Sequence, residues 1–202
     1  MTVDTVIFDV GKVLVEWDIR LLYRKLIADP AELDWFVTHV VTPEWHFQHD
    51  AGRPFAETSA ELIAAYPAYA DLIRAFGPRF GETLGDILPG MRALVGDLAA
   101  RGVPLYAITN FSAEFWPAFE AGEAELFAPF RGILVSGREY LAKPDAAIYR
   151  LALERFGLRA EQCLFIDDRA DNVAGADAVG MVGYQFEGAE ALRAELKRRG
   201  LL

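Results

Sequence analysis

The 202-residue sequence predicts an α/β protein: a Rossmann-like parallel sheet carrying a helical insertion after its first strand. Short β-rich apolar runs recur along the chain, amphipathic helical patterns lie between them, and residues 18–88 interrupt that rhythm. The first run, Val6-Ile7-Phe8, stops at Asp9 and is followed by Gly11, as expected of a buried strand ending in a turn. Similar runs span Val103 to Ile108, Gly132 to Val135, Cys163 to Ile166 and Met181 to Phe186. Met91, Leu94, Val95 and Leu98 form one helical stripe, closed by Gly102. Ile148, Leu151, Ala152 and Phe156 form a second before Gly157, and Val173 with Ala176 a shorter third before Gly180. Strand alternating with helix implies right-handed crossovers and a sheet covered on both faces.

Residues 18–88 are rich in aromatics and alanine and show helical patterns such as Leu21-Leu22-Lys25-Leu26 and Ala60-Leu62-Ile63-Tyr66, with no convincing buried strand. Pro89-Gly90 then restores the strand–helix pattern. The expected division is therefore a core of residues 1–17 and 89–202 and an inserted helical unit of residues 18–88.

A hydrophobic fraction of 53% with 25% charged residues suits a folded chain. The net charge of −10 argues against nucleic acid or an anionic membrane as partner, while leaving room for a small phosphorylated molecule held by local cations. Cys163 is the only cysteine, which excludes an intrachain disulfide and a Cys-rich zinc site. The N-terminus lacks the pattern of a secretory signal and no apolar run approaches a membrane span, so a cytoplasmic location is expected. Nothing specifies an oligomer; monomer and homodimer both stay open.

In an open parallel sheet, side chains just past the strand C-termini converge on one crevice. Asp9, Thr109-Asn110, Lys143 (read as opening a helix) and Asp167-Asp168 occupy such positions. Each alone could be a turn residue or a helix cap. Together they carry a chemistry. Converging carboxylates about 4 Å apart repel by roughly 4 kcal/mol per pair at an effective dielectric near 20, and a hard divalent cation removes that penalty. Lys143 adds fixed positive charge, Thr109 a hydroxyl and Asn110 an amide. This is an inventory for holding a phosphoryl group in line with a carboxylate nucleophile.

Val-Ile-Phe-Asp9-Val-Gly11, Ile108-Thr109-Asn110, Lys143-Pro144-Asp145 and Phe165-Ile-Asp167-Asp168-Arg-Ala-Asp171-Asn172-Val-Ala-Gly175 resemble the four ordered motifs of the haloacid-dehalogenase-like hydrolases, in particular their sugar-phosphate phosphatases. The resemblance implies that residues 18–88 form a helical cap and that Asp9 attacks the substrate to give an aspartyl intermediate. It further implies that Thr109 binds the transferring group and Lys143 stabilises nucleophile and intermediate. Mg²⁺ would be held by Asp9, the Gly11 carbonyl and Asp168, with Asp167 binding directly or through water.

One position departs from the phosphatase pattern. Gly11 stands where a second Asp usually serves as general acid and base, so either another proton donor or a substrate with an easily departing leaving group is needed. Glu16, Asp18, His46 and His49 are candidates, the histidines having ordinary packing as their alternative. The same missing Asp is shared with 2-haloacid dehalogenases, the main rival reading, although Asp167-Asp168 suits a cation better than a haloacid carboxylate. A non-catalytic phosphate-binding relative is a further alternative. Within the insertion, Trp45, His46, Phe47, Gln48, His49 and Arg53 form an amphipathic cluster from which His49 and Arg53 are drawn as substrate-contact candidates. The interior of a small helical bundle is the competing reading for that cluster, and Trp116 carries the same two readings.

Overall fold

The computed structural model describes residues 2–202. Five parallel strands form its main sheet in the order β5 (Phe130–Val135), β4 (Leu105–Thr109), β1 (Thr5–Phe8), β6 (Cys163–Asp167), β7 (Val182–Gln185). All five expected strand runs are present, and β1 lies at the centre because both its neighbours offer fully apolar partners. The pleat sorts their side chains. Val6, Phe8, Leu105, Ala107, Leu164 and Ile166 enter one core cluster, while Ile7, Tyr106, Ile108, Cys163 and Phe165 enter the other. A Rossmann-like α/β core is therefore the architecture.

The helices covering the two faces follow the predicted stripes. Met91, Leu94, Val95 and Leu98 of α6 (Met91–Ala100) are all buried against the first cluster, and Gly102 takes φ +76° just past the helix. In α10 (Ala146–Phe156), Ile148, Tyr149 and Ala152 pack on the second cluster with α11 (Ala170–Ala178), and Gly157 ends the helix at φ +65°. Each fully buried apolar side chain of this kind contributes about 1.5–3 kcal/mol. On the first face lie α7 (Trp116–Gly122), α8 (Ala124–Phe127) and α12 (Ala189–Arg198), and α9 (Ser136–Glu139) is a single turn after β5.

Between Asp18 and Leu88 the chain forms α1 (Arg20–Tyr23), α2 (Pro30–His39), α3 (Pro43–Asp50), α4 (Phe55–Ala65) and α5 (Ala70–Ala75). Asp29 and Thr42 cap α2 and α3, each with proline in the first turn. The helix expected across Leu21 to Leu26 is only one turn long. Pro30 disfavours helix at the residue before it and α2 restarts there. A short strand, β3 (Leu84–Ile87), also lies within residues 18–88, where no buried strand was expected; it is half-exposed and pairs antiparallel with β2 (Val15–Trp17). That pair brings both ends of the helical segment back to the strand end that carries Asp9. No helix among the described residues is long and apolar enough to cross a membrane.

Candidate active site

Register decides which side chains meet. Phe8 pairs with Ile166 and the Asp9 N–H donates to the Ile166 carbonyl at 2.8 Å, so Asp9 and Asp167 come side by side one residue past those partners. Both continue the pleat on the face shared by α10 and α11. Lys143 arrives on that face from the turn before α10. Its ammonium lies 2.8 Å from Asp9 Oδ1 and 2.7 Å from Asp167 Oδ2, and the side chain is almost wholly buried. Lys143 does not open the helix as the sequence suggested. Asp145 is the N-cap of α10, accepting the Ala147 N–H at 2.9 Å, which leaves Lys143 in the preceding turn. The ammonium also lies over the Phe165 ring, 5.4 Å from its centroid.

The turn is held by Asn110. Its amide donates to the Lys143 carbonyl at 3.0 Å while its carbonyl accepts the Lys143 N–H at 2.9 Å. Asn110 also lines the crevice, so the residue expected to contact substrate holds the Lys143 turn as well. α11 closes on the same turn through Gly175, where a Cβ would lie 2.7 Å from the Pro144 carbonyl oxygen. Thr109, at the end of β4, is buried, and its hydroxyl has no partner among the described residues. An unpartnered buried hydroxyl is costly and fits an oxygen-rich ligand at that strand end.

Asp9, Asp167 and Asp168 each place a carboxylate oxygen within 4.8 Å of the other two. The donor set fits a hard divalent cation: three carboxylates and one ammonium leave net negative charge. Asp9 Oδ1 is taken by Lys143 and by the Val10 N–H at 2.7 Å, which leaves Oδ2 free. Asp167 binds Lys143, accepts the Arg169 N–H at 2.9 Å and accepts the Asn172 amide, so its role is largely spent on orienting the lysine. Asp168 is half-buried and is raised above the usual carboxylate range by burial and by Asp167. Burial pushes Asp9 up to about 7, with Lys143 opposing and Asp167 adding to the rise. Burial also works against the Lys143 ammonium, but Asp9 and Asp167 together outweigh it and hold its pKa above the ordinary value.

These residues open onto a cavity of about 500 Å³. Asp9, Gly11, Lys143 and Asp168 form its polar end; Trp17, Pro43, Phe47, Phe80 and Leu84 form an apolar wall. Three polar residues in it come from α3: Glu44, which is exposed, His46 and Asp50. His46 stacks on Trp17, with ring centroids 4.7 Å apart, and burial followed by His49 lowers its pKa to about 3, so the imidazole is neutral. Asp50, which the sequence reading did not single out, is buried and lies 3.5 Å from His46 Nε2. Burial, then the facing charge of Asp9, pushes its pKa up to about 8, against Lys143 and the Ser112 N–H.

Several candidates are placed elsewhere. His49 points into the packing of α3, bonding Thr58 Oγ1 through Nε2 at 2.7 Å, and is only 1% exposed. Arg53 is half-exposed and pairs with Glu61 at 2.7 Å and with Gln48. Neither lines the cavity. The periodicity of α3 buries Trp45, His46, His49 and Asp50 together, and of these four only His46 and Asp50 line the crevice, beside Pro43, Glu44 and Phe47 of the same helix. Asp18 accepts the Arg20 N–H at 2.8 Å, and with Glu16 it borders a second depression, which shares Lys12 and Trp17 with the main cavity. Trp116 is core: it packs on Phe111 and Phe127 and donates to Glu120 at 2.9 Å.

Fold and site together define a Rossmann-like α/β protein with a carboxylate–lysine cluster at the C-terminal ends of its central strands. The chain belongs to the haloacid dehalogenase-like hydrolase family, whose model matches residues 3–180. It is 28% identical over 205 residues to the sesquiterpene phosphatase astK of Aspergillus oryzae, covering 98% of this chain and 96% of that protein. A phosphoglycolate phosphatase of Yersinia pseudotuberculosis is 29% identical over 135 residues, or 65% of this chain and about half (54%) of that protein. The fold matches the magnesium complex of the HAD family enzyme bt-2542 of Bacteroides thetaiotaomicron with a TM-score of 0.74 at 18% identity, covering 98% and 100% of the two chains. It also matches an L-2-haloacid dehalogenase of Xanthobacter autotrophicus with a TM-score of 0.64 at 19% identity, covering 100% and 85%.

Proposed function

We propose that this hydrolase is a Mg²⁺-dependent phosphatase that cleaves a small phosphomonoester through an aspartyl-phosphate on Asp9. The observation that carries the reading is the carboxylate cluster Asp9–Asp167–Asp168, bridged on one side by Lys143 and open on the other to the cavity. Asp9 Oδ2, the Gly11 carbonyl and Asp168 would hold the cation, which supplies charge neutralisation beside the phosphoryl oxygens. Lys143 orients Asp9 and balances its charge before and after attack. Thr109 offers its unpartnered hydroxyl to the phosphoryl group. Residues 18–88 act as a cap that closes the crevice and selects the alcohol.

Phosphatase homologues support this reading, and so does the site's charge. A 2-haloacid would bring its own carboxylate to the Asp9–Asp167–Asp168 cluster, whose bridging Lys143 ammonium is already paired, which disfavours the dehalogenase alternative despite the shared fold. The family resemblance points to sugar phosphates. The apolar wall of Trp17, Pro43, Phe47, Phe80 and Leu84 favours a second reading of the alcohol as apolar, in keeping with a relative named for a sesquiterpene substrate. Turnover of p-nitrophenyl phosphate that EDTA abolishes and Mg²⁺ restores is the expected result. Metal-independent halide release from 2-chloropropionate, without phosphatase activity, would overturn the proposal. Comparing kcat/KM for an isoprenoid monophosphate and a hexose phosphate decides between the two alcohols.

A further inference from the structure

Gly11 leaves a vacancy in the chemistry as well as in space. A Cβ built there would meet no heavy atom within 4 Å, so packing does not demand the glycine, and the cavity beside Asp9 stays open. A departing alkoxide in that space has no proton donor from the strand end. The Lys143 ammonium is locked between Asp9 and Asp167. Glu16 and Asp18 border a different depression.

The cavity does contain two more carboxyls: Glu44, which is exposed and held below its ordinary pKa by its own backbone N–H and by Thr42, and Asp50, which is buried. Asp50 reaches the cavity from the C-terminal turn of α3. Its backbone is fixed to the core. The Ser136 hydroxyl donates to the Asp50 carbonyl at 2.5 Å and accepts the Phe111 N–H at 2.9 Å, which ties α3 to the loop following β4. Gly137 permits that approach, since a Cβ there would lie 2.6 Å from Ala113 N and 3.2 Å from the His49 carbonyl oxygen. Among the described residues Asp50 makes no ion pair with a lysine or arginine; its neighbour at ion-pair distance is His46, at 3.5 Å. The groups facing it are Asp9, Lys143, His46 and the Ser112 N–H. Asp50 thus presents a buried carboxyl, unpaired with any lysine or arginine among the described residues, to the cavity that Asp9 also lines.

We propose that Asp50 is the general acid and base of this enzyme, replacing from the helical segment the carboxyl that Gly11 removes. The inference rests on the phosphomonoesterase reading above. Asp9 attacks phosphorus as the bond from phosphorus to the alcohol oxygen breaks. The electron pair stays on that oxygen, which takes the proton of Asp50 and leaves as alcohol. Water then attacks the phosphorus of the aspartyl-phosphate, gives its proton to the Asp50 carboxylate, and releases inorganic phosphate and the Asp9 carboxylate. Proton transfer of this kind contributes about 10²–10⁴-fold, and only where the leaving group needs the proton.

The test compares kcat/KM for p-nitrophenyl phosphate, whose phenolate leaves unaided, with that for n-butyl phosphate, whose alkoxide does not, both with Mg²⁺. For Asp50→Asn the butyl ester should lose about 100-fold or more while the aryl ester loses less than about tenfold. An equal loss on both esters, or no loss on the butyl ester, overturns the role of Asp50. If Asp50→Asn does not fold, Asp50→Glu decides: selective slowing of the butyl ester supports the role and equal slowing refutes it. A wild-type enzyme inert towards both esters sinks the phosphatase reading itself, and the two failures are thus distinguishable.

Discussion

Replacing His49 with glutamine separates packing from catalysis at the one histidine that the sequence offered as a substrate contact. His49 lies among Trp45, Phe76 and Phe115, with ring centroids 4.6, 5.8 and 6.2 Å away, and shares a 2.7 Å hydrogen bond with Thr58. Burial, and then the charge of Arg53, lower its pKa to about 4. In the unfolded chain the value returns to about 6.5. The folded value is the lower one, so the unfolded state binds the extra proton between those limits. The stability that the neutral imidazole contributes is therefore present above about pH 6.5 and lost as pH falls towards 4. Between pH 7 and pH 5 that loss amounts to about 2 kcal/mol for this residue. Asp9 and Asp50 titrate in the opposite sense, but they are common to wild type and variant and cancel in the difference. The His49→Gln variant gives up ring packing and should lose about 1–3 kcal/mol at pH 7. The gap to wild type should then shrink by about 2 kcal/mol at pH 5. Urea unfolding followed by tryptophan fluorescence at the two pH values measures it. A gap that stays constant or widens refutes the buried neutral imidazole. The variant should also keep kcat/KM for p-nitrophenyl phosphate within about threefold at pH 7, because a change that only loosens packing away from the cavity removes no transition-state contact.

Asn110→Ala deletes both hydrogen bonds that hold the Lys143 turn; kcat/KM should fall by about 10–100-fold while urea unfolding shows a loss of only about 1–2 kcal/mol, and unchanged kinetics would contradict the clamp. Gly175→Val drives a side chain into the Pro144 carbonyl and should destabilise by about 2 kcal/mol or more, which thermal unfolding reads directly; a neutral or stabilising result contradicts the close approach of α11. Mg²⁺ at about ten times its Kd should stabilise the wild type by about 1.4 kcal/mol, and Asp168→Asn should abolish most of that thermal shift; an equal shift in both proteins removes Asp168 from the proposed ligand set.

The sheet and the strand-end residues were readable in the sequence because both depend on local pattern. A buried parallel strand is an apolar run with a polar end. In a parallel sheet those ends share an edge, so Asp9, Thr109, Lys143 and Asp167 could be grouped without coordinates. The α3 surface was not readable in the same way. Its pattern buries Trp45, His46, His49 and Asp50 on one broad face, and nothing local distinguishes the edge that meets the crevice from the edge that meets Thr58. Ser136 settles that from 86 residues further along the chain. A carboxylate also reads as a surface residue in any local scheme, so the only trace of Asp50 was its (i, i+4) spacing from His46. The turn before α10 escaped for a different reason. Pro144 suits a first helical turn, but Asn110 pins the Lys143 backbone outside the helix. β3 exists because β2 offers it an edge, a pairing that its own half-exposed residues do not announce.

The central claim is that Asp9 carries the phosphoryl group. Acid quenching of a single turnover of p-nitrophenyl phosphate with Mg²⁺, followed by peptide mass spectrometry, tests it most directly. The account predicts a phosphoryl adduct on the peptide bearing Asp9, absent from Asp9→Asn. Phosphate released at full rate by Asp9→Asn, or an adduct on another residue, would contradict it.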